Sequence, residues 1–201
     1  TEHAANYAKL RGAQPLLGRC HETEAGIPYL PFIEALRQYV VARNDDELRD
    51  ELGSGAGDVA KIVSEVAARI ADLPVTVPMS GEQERYRLFQ GVSTFLSNSS
   101  RANPLFLVLD DLHWADRPTL LLLQHLARRL AGSRLLLIGT YRDMELDRRH
   151  PLSETLATLR RDPGFERGLP RGLRAADAYA LFEVEARGGA LGERAGEPGA
   201  A

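Results

Sequence analysis

The stretch LFLVLDDLHWAD, residues 105–116, decides the fold of this chain. It opens with five consecutive apolar residues, 105–109, which is the pattern of a strand buried on both faces of a parallel sheet. Asp110 and Asp111 follow directly, so the strand would carry two carboxylates to the sheet edge where such folds bind their ligands. There, one carboxylate can hold Mg²⁺ and the other can polarise a water molecule aimed at a phosphate. The alternative is that the two aspartates only form a turn or a helix cap.

A second strand with a polar end follows along the chain. Residues 119–130 have the apolar pattern of a helix, and residues 134–141 (RLLLIGTY) form a second apolar run of strand type. Arg142 comes directly after that run and is therefore predicted at the same sheet edge as Asp110. Its guanidinium could contact a terminal phosphate there. The alternative is a surface ion pair between Arg142 and Asp143, which would contribute little.

The flanking sequence completes an α/β pattern. A short strand is predicted over residues 13–20, and Gly12 before it is placed to end a helix in the left-handed conformation. Ser80 and Gln83 have the spacing of a capping box at the start of a helix. Strands that alternate with helices and short loops predict a doubly wound parallel sheet. The predicted helices cover residues 2–11, 32–42, 45–52, 59–73, 82–96, 119–130, 151–160 and 173–187.

Composition and charge exclude several classes of protein. The 201 residues are 44% hydrophobic and 26% charged, a balance typical of one globular domain. The net charge of −3 favours neither a nucleic-acid-binding surface nor an acidic tail, and it leaves a local basic patch open. The single cysteine, Cys20, excludes an internal disulfide and is predicted to be a buried thiol rather than a nucleophile. No apolar run approaches the roughly 20 residues of a membrane helix, and no signal-peptide pattern opens the chain. A cytoplasmic protein without membrane contact is therefore predicted.

Several segments together resemble one known family. LFLVLDDLHWAD, TLLLLQHLARRL and RLLLIGTYRD resemble, in this order, the Walker B to sensor 1 region of AAA-related, STAND-type P-loop ATPase domains. These domains occur in bacterial LuxR-type transcription regulators and in cyclase-fused signalling proteins. LLGRCHETEAGIPYLPFIEALRQYV resembles the second-strand region of that family, and GEQERYRLFQGVSTFL resembles the helix before Walker B. The likeness extends over about residues 8–175.

The resemblance implies roles for individual residues. Asp110 matches the magnesium-associated Walker B carboxylate, and Asp111 has the position of the water-polarising catalytic acid. Arg142 matches the sensor 1 arginine that contacts the nucleotide. ATP and Mg²⁺ are the implied cofactors of the intact protein. His113, Trp114 and Asp116 belong to the family signature without an assignable chemistry, and Trp114 is predicted to be a packing residue.

The family also has an element that is not recognised in these residues. It begins with a strand and a phosphate-binding loop, G-x-x-x-x-G-K-[ST], which would lie upstream of residue 1. The glycine cluster at 53–57 (GSGAG) lacks the Gly-Lys-Ser/Thr ending and is interpreted as a flexible linker. Without the first strand, the sheet is expected to have a gap beside strand 134–141 and two edges with unpaired backbone groups. The chain is therefore predicted to be a partial P-loop fold, truncated or of marginal stability.

Two functions follow, from different classes. The first is an ATP-binding signalling switch whose nucleotide state controls effector domains of a parent protein, with an oligomer as one possible form. The second is a non-catalytic, degenerate scaffold that keeps the fold for interactions. Residues 1–187 are predicted to form the partial ATPase domain, and the Gly- and Ala-rich tail 188–201 is predicted to be disordered. Direct contact with nucleic acid is not expected, because no helix-turn-helix with a basic second helix is evident.

Overall fold

A three-stranded parallel sheet lies at the centre of the fold. The computed structural model describes residues 2–24, 26–73, 79–129, 131–147 and 149–168. The strands, in their spatial order, are β1 Gln14–Arg19, β2 Leu105–Asp110 and β3 Leu135–Gly139. Both the predicted α/β class and the three predicted strands are confirmed.

The strands are surrounded by helices that the apolar periodicity largely predicts. The helices are α1 Glu2–Leu10, α2 Leu30–Ala42, α3 Asp45–Leu52, α4 Ala56–Val59, α5 Ser64–Arg69, α6 Gly81–Ala102, α7 Arg117–Arg129 and α8 Pro151–Leu159. Gly12 follows α1 with φ 80°, and the capping box of Ser80 and Gln83 opens α6, as predicted. The chain divides into two units, residues 1–165 and 166–201, and these elements belong to the first. The predicted helix 173–187 and tail 188–201 lie outside the described residues.

The two faces of β2 contribute to separate apolar clusters. Leu105, Leu107 and Leu109 belong to the main core, which also includes buried residues of α2, α3 and α5 to α8. Phe106 and Val108 point to the other face and pack with Ala5 of α1. Both faces of the strand are therefore buried, as its unbroken apolar run predicts. This burial holds the carboxyl end of β2, and the residues that follow it, in a defined position.

The predicted continuous helix over 59–73 is wrong. Helix α4 ends at Val59, and α5 begins only at Ser64, after a turn in which Val63 takes an extended conformation of φ −116° and ψ 91°. Val59, Val63 and Val66 are all fully buried. Because β-branched residues have a weak helix preference, a continuous helix gains little stability at these valines. The stabilisation from burying them outweighs that gain.

The interpretation of residues 53–57 as a flexible linker is also wrong. Gly53–Gly55 form a 3-10 turn that continues into α4. At Gly55 the chain comes so near to α6 that an added Cβ would lie 2.7 Å from the Cα of Gly91. The glycines serve close packing of two backbones, which sequence spacing alone does not distinguish from flexibility.

The described helices contain none that is both long and apolar enough to cross a membrane.

Candidate functional site

The predicted carboxylate pair lies where the chain leaves β2. Asp110 is the last residue of the strand, and Asp111 takes a left-handed backbone conformation with φ 58° and ψ 43°. Aspartate tolerates this conformation better than most residues because its short polar side chain can form local hydrogen bonds. The turn leads into a short 3-10 segment, Leu112–Trp114. The side chains of Asp110 and Asp111 are 14% and 32% exposed, so both can be reached from solvent.

Thr140, the residue after β3, holds this turn in place. Its hydroxyl donates a hydrogen bond to Asp110 Oδ1, and the hydroxyl oxygen, Thr140 Oγ1, accepts one from the Asp111 N–H at 3.1 Å. The Thr140 carbonyl also accepts a hydrogen bond from the Leu112 N–H at 2.8 Å. One carboxylate oxygen of Asp110 is therefore oriented by β3. Sequence reasoning assigned Thr140 no role, although its place in the polar end of the second strand could have indicated one.

Arg19, the last residue of β1, supplies a positive charge to the same edge. The register of β1 and β2 places Arg19 opposite Asp110. Arg19 Nη2 donates to Asp110 Oδ2 at 2.9 Å, and Nε lies 3.8 Å from Asp111 Oδ2. One guanidinium thus bridges both carboxylates. Arg19 is not among the site residues predicted from sequence. The signal that could have indicated it is its position in GRC (residues 18–20), at the end of a strand that runs parallel to β2.

Arg142 lies beyond β3 and is connected to the carboxylate turn by its backbone. Its N–H donates to His113 Nδ1 at 3.4 Å, and its guanidinium pairs with Glu145 Oε1 at 3.1 Å. The Arg142 side chain is 70% exposed. The structure therefore brings Asp110 and Asp111 together and joins the Arg142 backbone to them through His113, while Glu145 holds the guanidinium.

His113 is the buried link between the turns that follow β2 and β3. Its side chain is 1% exposed, and its Nε2 lies 3.1 Å from Glu145 Oε2, at ion-pair distance but without hydrogen-bond alignment. Nδ1 accepts the Arg142 N–H, so the ring proton is assigned to Nε2. The His113 carbonyl lies 3.0 Å from His150 Nε2. The signature histidine thus has a structural role that its sequence position did not show.

Cys20 and Trp114 are packing residues, as predicted. Cys20 is buried, and this burial, aided by Asp116 and Asp111, raises the pKa of its thiol to about 12. A thiol with so high a pKa stays protonated and is a poor nucleophile. Trp114 packs against the main core, with its ring centroid 5.1 Å from that of His113.

The donors at this edge fit Mg²⁺. Within the described residues, no group of three or more His, Cys, Asp or Glu side chains is arranged to hold a metal ion. Mg²⁺ does not require such a group, because it binds through one or two carboxylates and completes its shell with water and phosphate oxygens. Asp110 and Asp111 supply carboxylate oxygens in adjacent positions, and the contact with Arg19 shows that a positive charge is stabilised there. The fit therefore rests on the oxygen chemistry of the donors.

The parallel sheet and its carboxylate edge define an α/β protein with a partial P-loop NTPase-like fold. The family model of the AAA ATPase domain matches residues 1–138. That match covers more than half of the chain, and this protein belongs to the AAA ATPase domain family. It includes Asp110 and Asp111 and ends before Thr140 and Arg142. Neither the curated proteins nor the solved structures give a significant match.

Proposed function

We propose that this chain is the carboxylate and sensor part of an ATP-binding switch module of the STAND type. The observation that carries the proposal is the pairing of Asp110 and Asp111 with a bridging guanidinium at the carboxyl end of the central strand. Ligands of parallel α/β sheets bind at that end. Proteins of the AAA family generally bind ATP with Mg²⁺, which is the chemistry that two carboxylates and nearby arginines can serve.

In this proposal each residue has a separate task. Asp110 would hold the cation, with its orientation set by the Thr140 hydroxyl. Bound Mg²⁺ would neutralise charge on the phosphates. Asp111 would orient a water molecule and accept its proton, since its side chain is the more exposed of the two. Arg142 would exchange its contact with Glu145 for a terminal phosphate oxygen, because its guanidinium is largely exposed.

The wider setting of the module is proposed from the resemblance in sequence. The Walker B to sensor 1 segments resemble those of bacterial signalling ATPases, so we place the module in a cytoplasmic transcription regulator or cyclase-associated protein. Its nucleotide state would then control effector domains of that parent, with or without oligomer formation. Since the glycine cluster 53–57 packs on α6, it does not act as a phosphate-binding loop. We therefore expect these 201 residues alone to bind ATP weakly.

Calorimetry with ATP tests this function, with and without Mg²⁺, on the full chain and on Asp110→Asn. Asparagine retains an oxygen that can accept from Thr140 but loses the charge that attracts Mg²⁺, so the Mg²⁺-dependent part of binding should disappear. Asp46→Asn is the matched control, because that side chain is 98% exposed on α3 and the charge change is the same. The proposal is contradicted if ATP binding does not depend on Mg²⁺ and is equal in both variants. It is also contradicted if the full chain shows no binding at millimolar ATP.

A non-catalytic scaffold is the second candidate, and one observation favours it. Arg19 pairs with both carboxylates and Glu145 pairs with Arg142, so each charged side chain of the site has an ion-pair partner within the chain. A scaffold predicts that Asp110→Asn leaves every activity of the parent protein unchanged. A switch predicts that the same substitution locks the parent in one state.

A further inference from the structure

Both carboxylate oxygens of Asp110 are engaged by side chains from the neighbouring strand ends. The Thr140 hydroxyl engages Asp110 Oδ1, and Arg19 Nη2 engages Asp110 Oδ2 at 2.9 Å. Arg19 Nε also approaches Asp111 Oδ2 at 3.8 Å. Both oxygens of Asp110 are therefore used, and the outward one is used by a cation that belongs to the chain.

The backbone of Arg19 is fixed, whereas its side chain has room to move. Arg19 is paired with Asp110 in the parallel ladder, and its N–H donates to Glu34 Oε2 of α2 at 2.8 Å. The side chain beyond is 57% exposed. The guanidinium can thus leave the carboxylates by rotation of its own side chain, without any change in the sheet.

We propose that Arg19 and a divalent cation compete for Asp110, so that Arg19 sets the Mg²⁺ affinity of the site. The guanidinium lies near two adjacent carboxylates, whose mutual repulsion it reduces. Since the Thr140 hydroxyl engages Oδ1, a cation held by Oδ2 would take the place of Arg19 at that oxygen. The inference rests on the proposed function, because it takes Asp110 as the metal ligand.

Mn²⁺, whose binding is measured by electron paramagnetic resonance, tests the competition in the full chain. Arg19→Gln removes the competing charge and should bind Mn²⁺ roughly two- to fivefold more tightly than the wild type, the size expected for a partly exposed ion pair. Arg19→Lys keeps a positive charge and should remain close to the wild type. Arg49→Gln is the matched control, since Arg49 is an exposed arginine of α3 paired with Asp46, and it should leave the affinity unchanged.

Thermal unfolding gives a second measurement that does not depend on activity. Arg19→Gln leaves the two carboxylates without their bridging charge, so addition of Mg²⁺ should raise its Tm by more than it raises that of the wild type. Circular dichroism of Arg19→Gln is the check that this substitution leaves the fold intact. An equal rise in Tm for the two proteins would contradict the competition.

The outcomes separate this inference from the function on which it rests. If Asp110→Asn abolishes Mn²⁺ binding but Arg19→Gln binds as the wild type does, or more weakly, the competition is overturned while the metal site stands. If Asp110→Asn binds Mn²⁺ like the wild type, the metal ligand is elsewhere, and both are overturned. The absence of saturable Mn²⁺ binding in Arg19→Gln also overturns both, because that variant has the most accessible carboxylate pair.

Discussion

At the scale of single residues, the site depends on contacts that join the ends of different strands. Asp110 and Asp111 could be predicted from sequence because two carboxylates after a buried strand must reach the ligand-binding edge. Arg19 could not be selected in the same way, since its role follows from the register that places it opposite Asp110. The contacts of His113 were equally hidden, because its partners Arg142 and Glu145 lie in the turn after β3.

His113 gives a prediction at this scale. His113→Ala should lower the free energy of unfolding by about 2–3 kcal/mol, because it leaves a cavity and removes the acceptor of the Arg142 N–H. His113→Asn should lose less, since its amide oxygen can replace Nδ1 as that acceptor. Urea unfolding measures the stability, and the chemical shift of the Arg142 amide reports the hydrogen bond. His21→Ala, at an exposed position, is the control, and an equal loss in both alanine variants would contradict the prediction.

At the scale of elements, periodicity predicts the long helices and the buried strands but not the packing between backbones. The runs that become β2 and α7 were found because their apolar patterns differ in period. The pattern does not predict the structure of residues 53–70, because two physical causes are absent from it. One is the close approach of Gly55 to Gly91. The other is the burial of Val63, which interrupts the helix that the spacing alone predicts.

At the scale of elements, we predict the effect on stability of a substitution at Gly55. Gly55→Ala should destabilise the protein by about 1–3 kcal/mol, because the new methyl group meets the backbone of α6 at 2.7 Å and the two segments must separate. Gly81→Ala is the matched control, since a Cβ there has no neighbour within 4 Å. Denaturant unfolding of both variants makes the comparison. If Gly55→Ala is as stable as the control, residues 53–57 behave as the flexible linker that the sequence indicated.

At the scale of the whole molecule, the two end strands of the described sheet, β1 and β3, differ in their surroundings. The outer edge of β1 is covered by α2, since Gln38 Nε2 donates to the Leu17 carbonyl at 2.7 Å and Glu34 accepts from the Arg19 N–H. The cover of β1 depends on side chains that no strand pattern reveals. β3 is the other end strand of the described sheet, and its Leu136 is 58% exposed. An end strand with an exposed apolar residue favours association with another strand.

This difference predicts how the chain behaves as its concentration rises. Leu136→Lys should reduce concentration-dependent self-association, because a lysine on an end strand opposes pairing with a second strand. The substitution should leave the stability of the monomer almost unchanged, as the leucine is largely exposed. Sedimentation velocity over a range of concentrations measures the association. Leu10→Lys is the matched control, since Leu10 is 85% exposed and belongs to α1, not to a strand. If the two variants associate equally, general surface hydrophobicity is the cause, and the edge of β3 has no special part in it.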